Sequence, residues 1–104
     1  MSGQNATLSG RTALVTGAAR RLGRATALAV AEAGANIVVH YGASAAEAES
    51  LVAEVARLGR KAWALQADLS DAPAVRQLFV RACEVAGPVD IVVNSASIFP
   101  ESRL

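Results

Sequence analysis

The chain is predicted to be an α/β protein, a doubly wound parallel sheet with helices on both faces. Three observations predict it. Four short strand patterns alternate with three helical ones along the 104 residues. The first strand turns into the first helix through the glycine-bearing run Thr16-Gly17-Ala18-Ala19-Arg20-Arg21-Leu22-Gly23. The fourth strand pattern is nearly all apolar, as expected of a strand buried on both faces.

The first strand falls near residues 12–16, and the first helix near 21–33, closed by Gly34 as a C-terminal cap. A strand over 36–40 follows. Ser44-Ala45-Ala46-Glu47 reads as a capping box opening the second helix, whose apolar face is Leu51, Val52, Val55 and Leu58 and which Gly59 stops. The third strand is 62–66. Asp68-Leu69-Ser70-Asp71 leads into a helix with Val75, Leu78, Phe79 and Ala82 on one side, capped by Ser70 or Asp71 and broken at Gly87-Pro88. The fourth strand is 89–93, and residues 1–9 read as a flexible lead.

The β-α-β-α-β-α-β order is a little over half of a Rossmann-type fold, whose strand order 3-2-1-4-5-6 continues beyond strand four. The expectation is therefore one piece of a single dinucleotide-binding domain, truncated after the fourth strand and marginal alone, with that strand as an open edge.

Composition sets the function classes. Hydrophobic residues make up 53% of the chain and its formal net charge is +1, which fits a globular domain and argues against disorder or a nucleic-acid surface. The arginines cluster at the glycine loop, which suggests a small anionic ligand. With Cys83 the one cysteine, no internal disulfide is possible and a reducing, cytoplasmic setting is expected; Cys83 itself, among apolar neighbours, reads as a packed thiol. No run approaches membrane-spanning length.

A strand that turns through glycines onto a helix N-terminus offers backbone N–H groups and a positive dipole end to an anion. Gly17 permits a tight turn and close approach to phosphate, Gly23 lets the helix lie close to the strand, and Arg20 and Arg21 add positive charge. The glycines do not follow G-x-G-x-x-G. The run resembles instead the Thr-Gly-x-x-x-Gly-x-Gly pattern of the short-chain dehydrogenase/reductase family, with Arg21 in place of the middle glycine.

Two further motifs fit the resemblance, which covers the chain from Leu8 to Leu104. Asp68-Leu69 resembles the family's adenine-binding pair, implying that Asp68 accepts from the adenine amino group while Leu69 packs near the ring. Asn94-Ser95-Ala96-Ser97 is similar to the family's Asn-Asn-Ala-Gly, which lines ribose and nicotinamide, with Ser95 and Ser97 as departures. Arg21, His40-Tyr41 with Ser44, and Ser97 together look like the pteridine reductase branch. That likeness implies that Arg21 contacts cofactor phosphate, that Ser97 faces cofactor and substrate, and that Phe99 stacks on a pterin. Gly42 and Ala43 stand where the branch carries basic or polar residues, which leaves the substrate open.

Cofactor choice turns on the end of the second strand, where an acid would bind the ribose 2′-OH and repel a 2′-phosphate. His40-Tyr41 stands there, with no acid before Glu47, so NADP(H) is favoured, its phosphate received by His40, Ser44 and Arg20 or Arg21. For His40 a half-buried strand end is the competing reading, for Tyr41 packing over the adenine side, for Asp68 a helix-cap role, for Ser97 a turn residue and for Phe99 a core or interface aromatic. The cofactor-binding set is thus Gly17, Arg20, Arg21, Leu22, Gly23, His40, Tyr41, Ser44, Asp68, Leu69, Asn94, Ala96 and Ser97, with Phe99 toward substrate.

In the family, hydride transfer needs a Tyr-x-x-x-Lys pair, the lysine lowering the tyrosine pKa. Tyr41 and Lys61 are the chain's one tyrosine and one lysine and lie in the wrong segments. No catalytic residue is therefore assigned, and the 104-residue piece alone is expected to be inactive. The leading expectation is the N-terminal part of a longer NADP(H)-dependent reductase acting on a carbonyl or pterin-like small molecule. Its partner would be the remainder of the same fold, as a covalent continuation or a separate chain, and the complete protein would be a homo-oligomer, with no nucleic-acid or membrane partner. The alternative is a non-catalytic nucleotide-binding or interaction module.

Overall fold

The computed structural model describes residues 7–19 and 21–95. The elements run β1 (Thr12–Thr16), α1 (Arg21–Glu32), β2 (Asn36–Tyr41), α2 (Ala45–Arg57), β3 (Ala62–Gln66), α3 (Ala72–Ala86) and β4 (Ile91–Asn94). All described strand pairs are parallel, in the order β3-β2-β1-β4. This is the doubly wound arrangement the alternating pattern predicts.

The two-residue period of each strand sorts its side chains between two cores. Ala13 and Val15 of β1 join Ile37 and Val39 of β2 on the face covered by α1 and α2, through Ala27, Ala31, Ala48, Leu51 and Val55. Leu14 and Val38 point to the opposite face, where Leu65, Leu69, Leu78 and Ala82 enclose them under α3. Every residue of β1 is buried. Burying one Leu or Val side chain is worth about 1.5–3 kcal/mol, so β1 and β2 carry the chief hydrophobic stabilisation and hold their carboxyl ends rigid. Among the described residues no helix is long and apolar enough to cross a membrane.

Several local expectations change. Ser44 stands at the N-cap of α2 but with ψ of 64° and no side-chain cap hydrogen bond, because its backbone leaves the extended region from which a hydroxyl reaches the first-turn amides. The capping box is therefore not formed. Asp71 caps α3 without a side-chain bond, and Ser70 instead donates its amide and hydroxyl to Asp68 Oδ1 at 3.0 and 2.7 Å. Cys83 is exposed rather than packed, since the buried face of α3 is a narrow stripe through Leu78 and Ala82. Phe79 and Leu58 are likewise 37% and 38% exposed.

Strand β4 starts at Ile91, not Val89, and alternates half-buried with exposed residues, Val92 being 50% exposed. Among the described strands it pairs only with β1, so burial on both faces does not arise here. The lead is also more tethered than expected at its end. Leu8 donates its amide to Ala33 O at 2.8 Å and packs on the α1–α2 core, while Gly34, at φ of +115°, has Ser9 N so close that a Cβ would meet it at 2.7 Å.

Candidate dinucleotide site

The carboxyl ends of the parallel strands share one rim, and the described candidate residues other than Leu69 lie along it. Gly17 leaves β1 with φ of +65°, a left-handed conformation that costs other residues free energy. The chain thereby turns back over the strand end. Gly17 N donates to His40 Nδ1 at 2.9 Å and Ala18 N donates to His40 O at 3.0 Å, so both amides face inward and are engaged.

The amides left for an anion therefore begin at Ala19. In the first turn of α1, Arg21, Leu22 and Gly23 have N–H groups with no partner inside the helix, aligned with its positive end. Gly23 is required for contact, because a Cβ there would lie 2.2 Å from Gly17 O and 2.8 Å from Ala18 Cα. The helix start thus presses directly on the loop backbone. The sequence reading of Gly23 as a close-approach residue fits this geometry, and that of Gly17 as a tight-turn residue fits its positive φ, its amide being engaged by His40.

Ala19, Arg21, Leu22, Gly23, Arg24, Glu47 and Ser95 line a hollow of ≈ 700 Å³ at this point. Arg21 and Leu22 are exposed, Leu22 by 79%. Arg24 is committed elsewhere: its guanidinium donates to Glu54 Oε2 at 2.7 Å and Ser50 Oγ at 3.2 Å, fastening α1 to α2. Sequence reasoning missed Ala19, Arg24, Glu47 and Ser95 as wall residues. The four-residue spacing of Ser50 and Glu54 on one helical face was the available signal for the Arg24 tether.

His40 follows the strand-end reading, not that of a phosphate ligand. It is 3% exposed, and both ring nitrogens are used by backbone, Nδ1 by Gly17 N–H and Nε2 by Ala67 O at 2.9 Å. No ring N–H is left to receive a phosphate. Burial pushes its pKa below the usual 6.5, partly countered by the Ala67 hydrogen bond, so the ring is neutral. Tyr41, the last residue of β2, is half-buried and packs against the α1–α2 core. The next residues, Gly42 and Ala43, are exposed, and Gln66 Nε2 donates to Gly42 O at 2.9 Å. Ser44 is half-buried at the base of α2.

Asp68 is exposed just past the carboxyl end of β3, its carboxyl held below the usual range by the Ser70 hydroxyl first and the Ser70 amide second. Leu69 does not flank an open face. It is 8% exposed and belongs to the core beneath α3, because its side chain turns inward as the chain enters the helix. At the end of β4, Thr16 Oγ1 donates to Asn94 Oδ1 at 2.8 Å, and Ser95 Oγ donates to Thr16 O. These bonds lock β4 to β1 beside the hollow. Tyr41, Ser44, Asp68 and Asn94 share the rim but do not line the hollow itself. Arg20, Ala96, Ser97 and Phe99 lie outside the described residues.

The arrangement can hold an extended anionic ligand along the strand ends, with phosphate at the α1 amides and Arg21. Comparison with known proteins identifies the family. The short chain dehydrogenase family model matches residues 11–104. An L-rhamnose 1-dehydrogenase (NAD(P)(+)) of Sphingomonas is 40% identical over 93 residues, 89% of this chain and 37% of that protein. A 3-oxoacyl-[acyl-carrier-protein] reductase of Synechocystis is 40% identical over 97 residues, 93% of this chain and 39% of that one. A short chain dehydrogenase from Burkholderia cenocepacia, crystallised in complex with NADP, superposes with a TM-score of 0.84 at 46% identity, over 88% of this chain and 38% of that one. The chain thus spans well under half the length of these relatives. By its sequence from Arg11 onward and by its strand order, it belongs to the short-chain dehydrogenase/reductase family.

Proposed function

We propose that the complete protein carrying this chain is an NADP(H)-dependent oxidoreductase that reduces a carbonyl or pterin-like small molecule, and that this chain supplies the cofactor-binding half. The observation that carries the reading is the close approach of Gly23 to the Gly17 carbonyl, a cradle that a Cβ would fill, with Arg21, Leu22 and Gly23 of the α1 first turn lining the hollow beside it. The NADP complex of the Burkholderia relative supports it.

In this reading the amides of Ala19, Arg21, Leu22 and Gly23, with the side chains of Arg20 and Arg21, hold the pyrophosphate. Ser44, whose hydroxyl is not spent on capping, and the open Gly42-Ala43 corner receive the adenosine ribose with its 2′-phosphate. Asp68 takes the adenine amino group. Asn94, Ala96 and Ser97 line the nicotinamide half, and Phe99 faces substrate. NADP(H) supplies the hydride, and this chain's residues bind and orient it. The pterin-like alternative rests on the resemblance of Arg21, His40-Tyr41, Ser44 and Ser97 to pteridine reductases. The proton donor would come from a Tyr-x-x-x-Lys pair, which residues 1–104 do not contain, so this piece alone is expected to show no reductase activity.

Calorimetric titration of the complete protein with NADPH and NADH tests the reading. Tighter NADPH binding is expected. Tighter NADH binding would overturn the preference, and failure to bind either would overturn the site.

A further inference from the structure

The one histidine of the chain sits where three strand ends meet. A backbone amide can only donate, so the 2.9 Å contact from Gly17 N makes His40 Nδ1 an acceptor without a proton. The neutral ring must then carry its proton on Nε2, which donates to Ala67 O at 2.9 Å. Its own carbonyl accepts from Ala18 N at 3.0 Å, and that of Tyr41 accepts from Ala67 N at 3.1 Å. Four hydrogen bonds from two successive residues thus fasten the loop after β1 and the segment after β3 to the end of β2. The imidazole is the only side chain among the four links.

We propose that His40, as the neutral Nε2–H imidazole, is a positioning residue for the dinucleotide: it touches neither phosphate nor ribose, but presets the anion loop against α1 and ties it to the segment bearing Asp68. The proposal rests on the dinucleotide reading above. It departs from a direct contact with the 2′-phosphate, the role that position at the end of β2 would otherwise suggest. Because the pyrophosphate and adenine are common to both nicotinamide dinucleotides, losing the clamp weakens NADP(H) and NAD(H) alike. A residue that held the 2′-phosphate would affect NADP(H) alone.

The test uses the complete protein with His40→Phe, which keeps a ring but removes donor and acceptor, and His40→Gln, which restores one of each on a side chain of similar reach. In His40→Phe, NADPH and NADH affinities are expected to fall by the same factor, about tenfold, since a buried amide loses its acceptor. The ratio of the two affinities stays within about twofold, and His40→Gln recovers part of the loss. A loss confined to NADPH would overturn the proposal in favour of direct contact. Unchanged affinities with a lowered Tm would reduce His40 to a fold-stabilising residue and overturn it equally.

Should His40→Phe fail to fold, nitrogen-15 NMR of the wild-type imidazole decides. A single proton on Nε2, both free and with NADPH bound, is expected; a proton on Nδ1, or a change of tautomer on binding, would refute the clamp. If the wild type binds neither dinucleotide, the cofactor reading fails while the tautomer measurement still judges the His40 geometry.

Discussion

Replacing Gly23 by alanine puts one methyl group against backbone that cannot swing aside. The added Cβ would stand 2.2 Å from Gly17 O and 2.8 Å from both Ala18 Cα and Gly17 C, whereas ordinary contact begins at 3.4 Å. Either α1 backs away from the loop by about 1 Å, or the loop yields by the same amount. In the first case the first-turn amides leave the anion; in the second the 2.9 Å bond from Gly17 N to His40 is stretched out of range. Overpacking of this kind costs about 1–3 kcal/mol of stability. In a complete protein of one domain it should lower Tm by roughly 2–4 °C per kcal/mol. Weakening one or two hydrogen bonds to a charged group should reduce NADPH affinity by about tenfold to a hundredfold. Gly59→Ala is the control for binding, since Gly59 lies before β3, away from the carboxyl ends of the strands, with nothing within 4 Å of a Cβ, and its φ of +84° confines the effect to stability. Titration calorimetry and thermal melts on both variants read the effect. A Gly23→Ala protein that binds NADPH within twofold of wild type would show that the contact between α1 and the Gly17 loop does not set the anion site.

Other perturbations follow from the same geometry. His40 is held neutral, its pKa lowered by burial against an unfolded value near 6.5, so stability should be full above that pH and decline as pH falls through 6.5 toward the lowered folded value. Urea denaturation between pH 8 and 5 should show this decline, and its persistence in His40→Gln would assign it to another group. Thr16→Val removes the donor to Asn94 Oδ1 and should cost about 1 kcal/mol, read by chemical denaturation; no change would mean that this link does not hold β4. Arg24→Ala breaks a partly exposed ion pair with Glu54 and should cost less than about 1 kcal/mol with cofactor affinity nearly unchanged. A large affinity loss would place Arg24 on the ligand instead of on α2.

Sequence legibility divided along physical lines. β1 and β3 fall at the expected residues, and Gly34, Gly59 and Gly87, each at positive φ, end the helices where expected, because hydrophobic period and glycine punctuation are local properties of the chain. What local pattern could not supply was the direction in which polar side chains are spent. Ser44 and Glu47 spell a capping box that the backbone of Ser44 does not support. Leu69 matches a motif for a ring-packing residue but is drawn into the core by Leu78 and Ala82. His40 was legible as a strand-end residue, yet its ring is consumed by Gly17 and Ala67, partners 23 and 27 residues away. Such long-range pairing leaves no period or spacing in the sequence. Gly23 was the most legible residue of the glycine loop, since a Cβ there would lie 2.2 Å from Gly17 O.

In the proposed site the amides of Ala19, Arg21, Leu22 and Gly23 hold a pyrophosphate, while those of Gly17 and Ala18 stay bound to His40. A crystal structure of the complete protein with NADPH measures this directly. Pyrophosphate oxygens are expected about 2.7–3.2 Å from amides among Ala19, Arg21, Leu22 and Gly23, with the Gly17–His40 bond intact. Phosphate seated on the Gly17 amide, or away from the α1 N-terminus altogether, would contradict it.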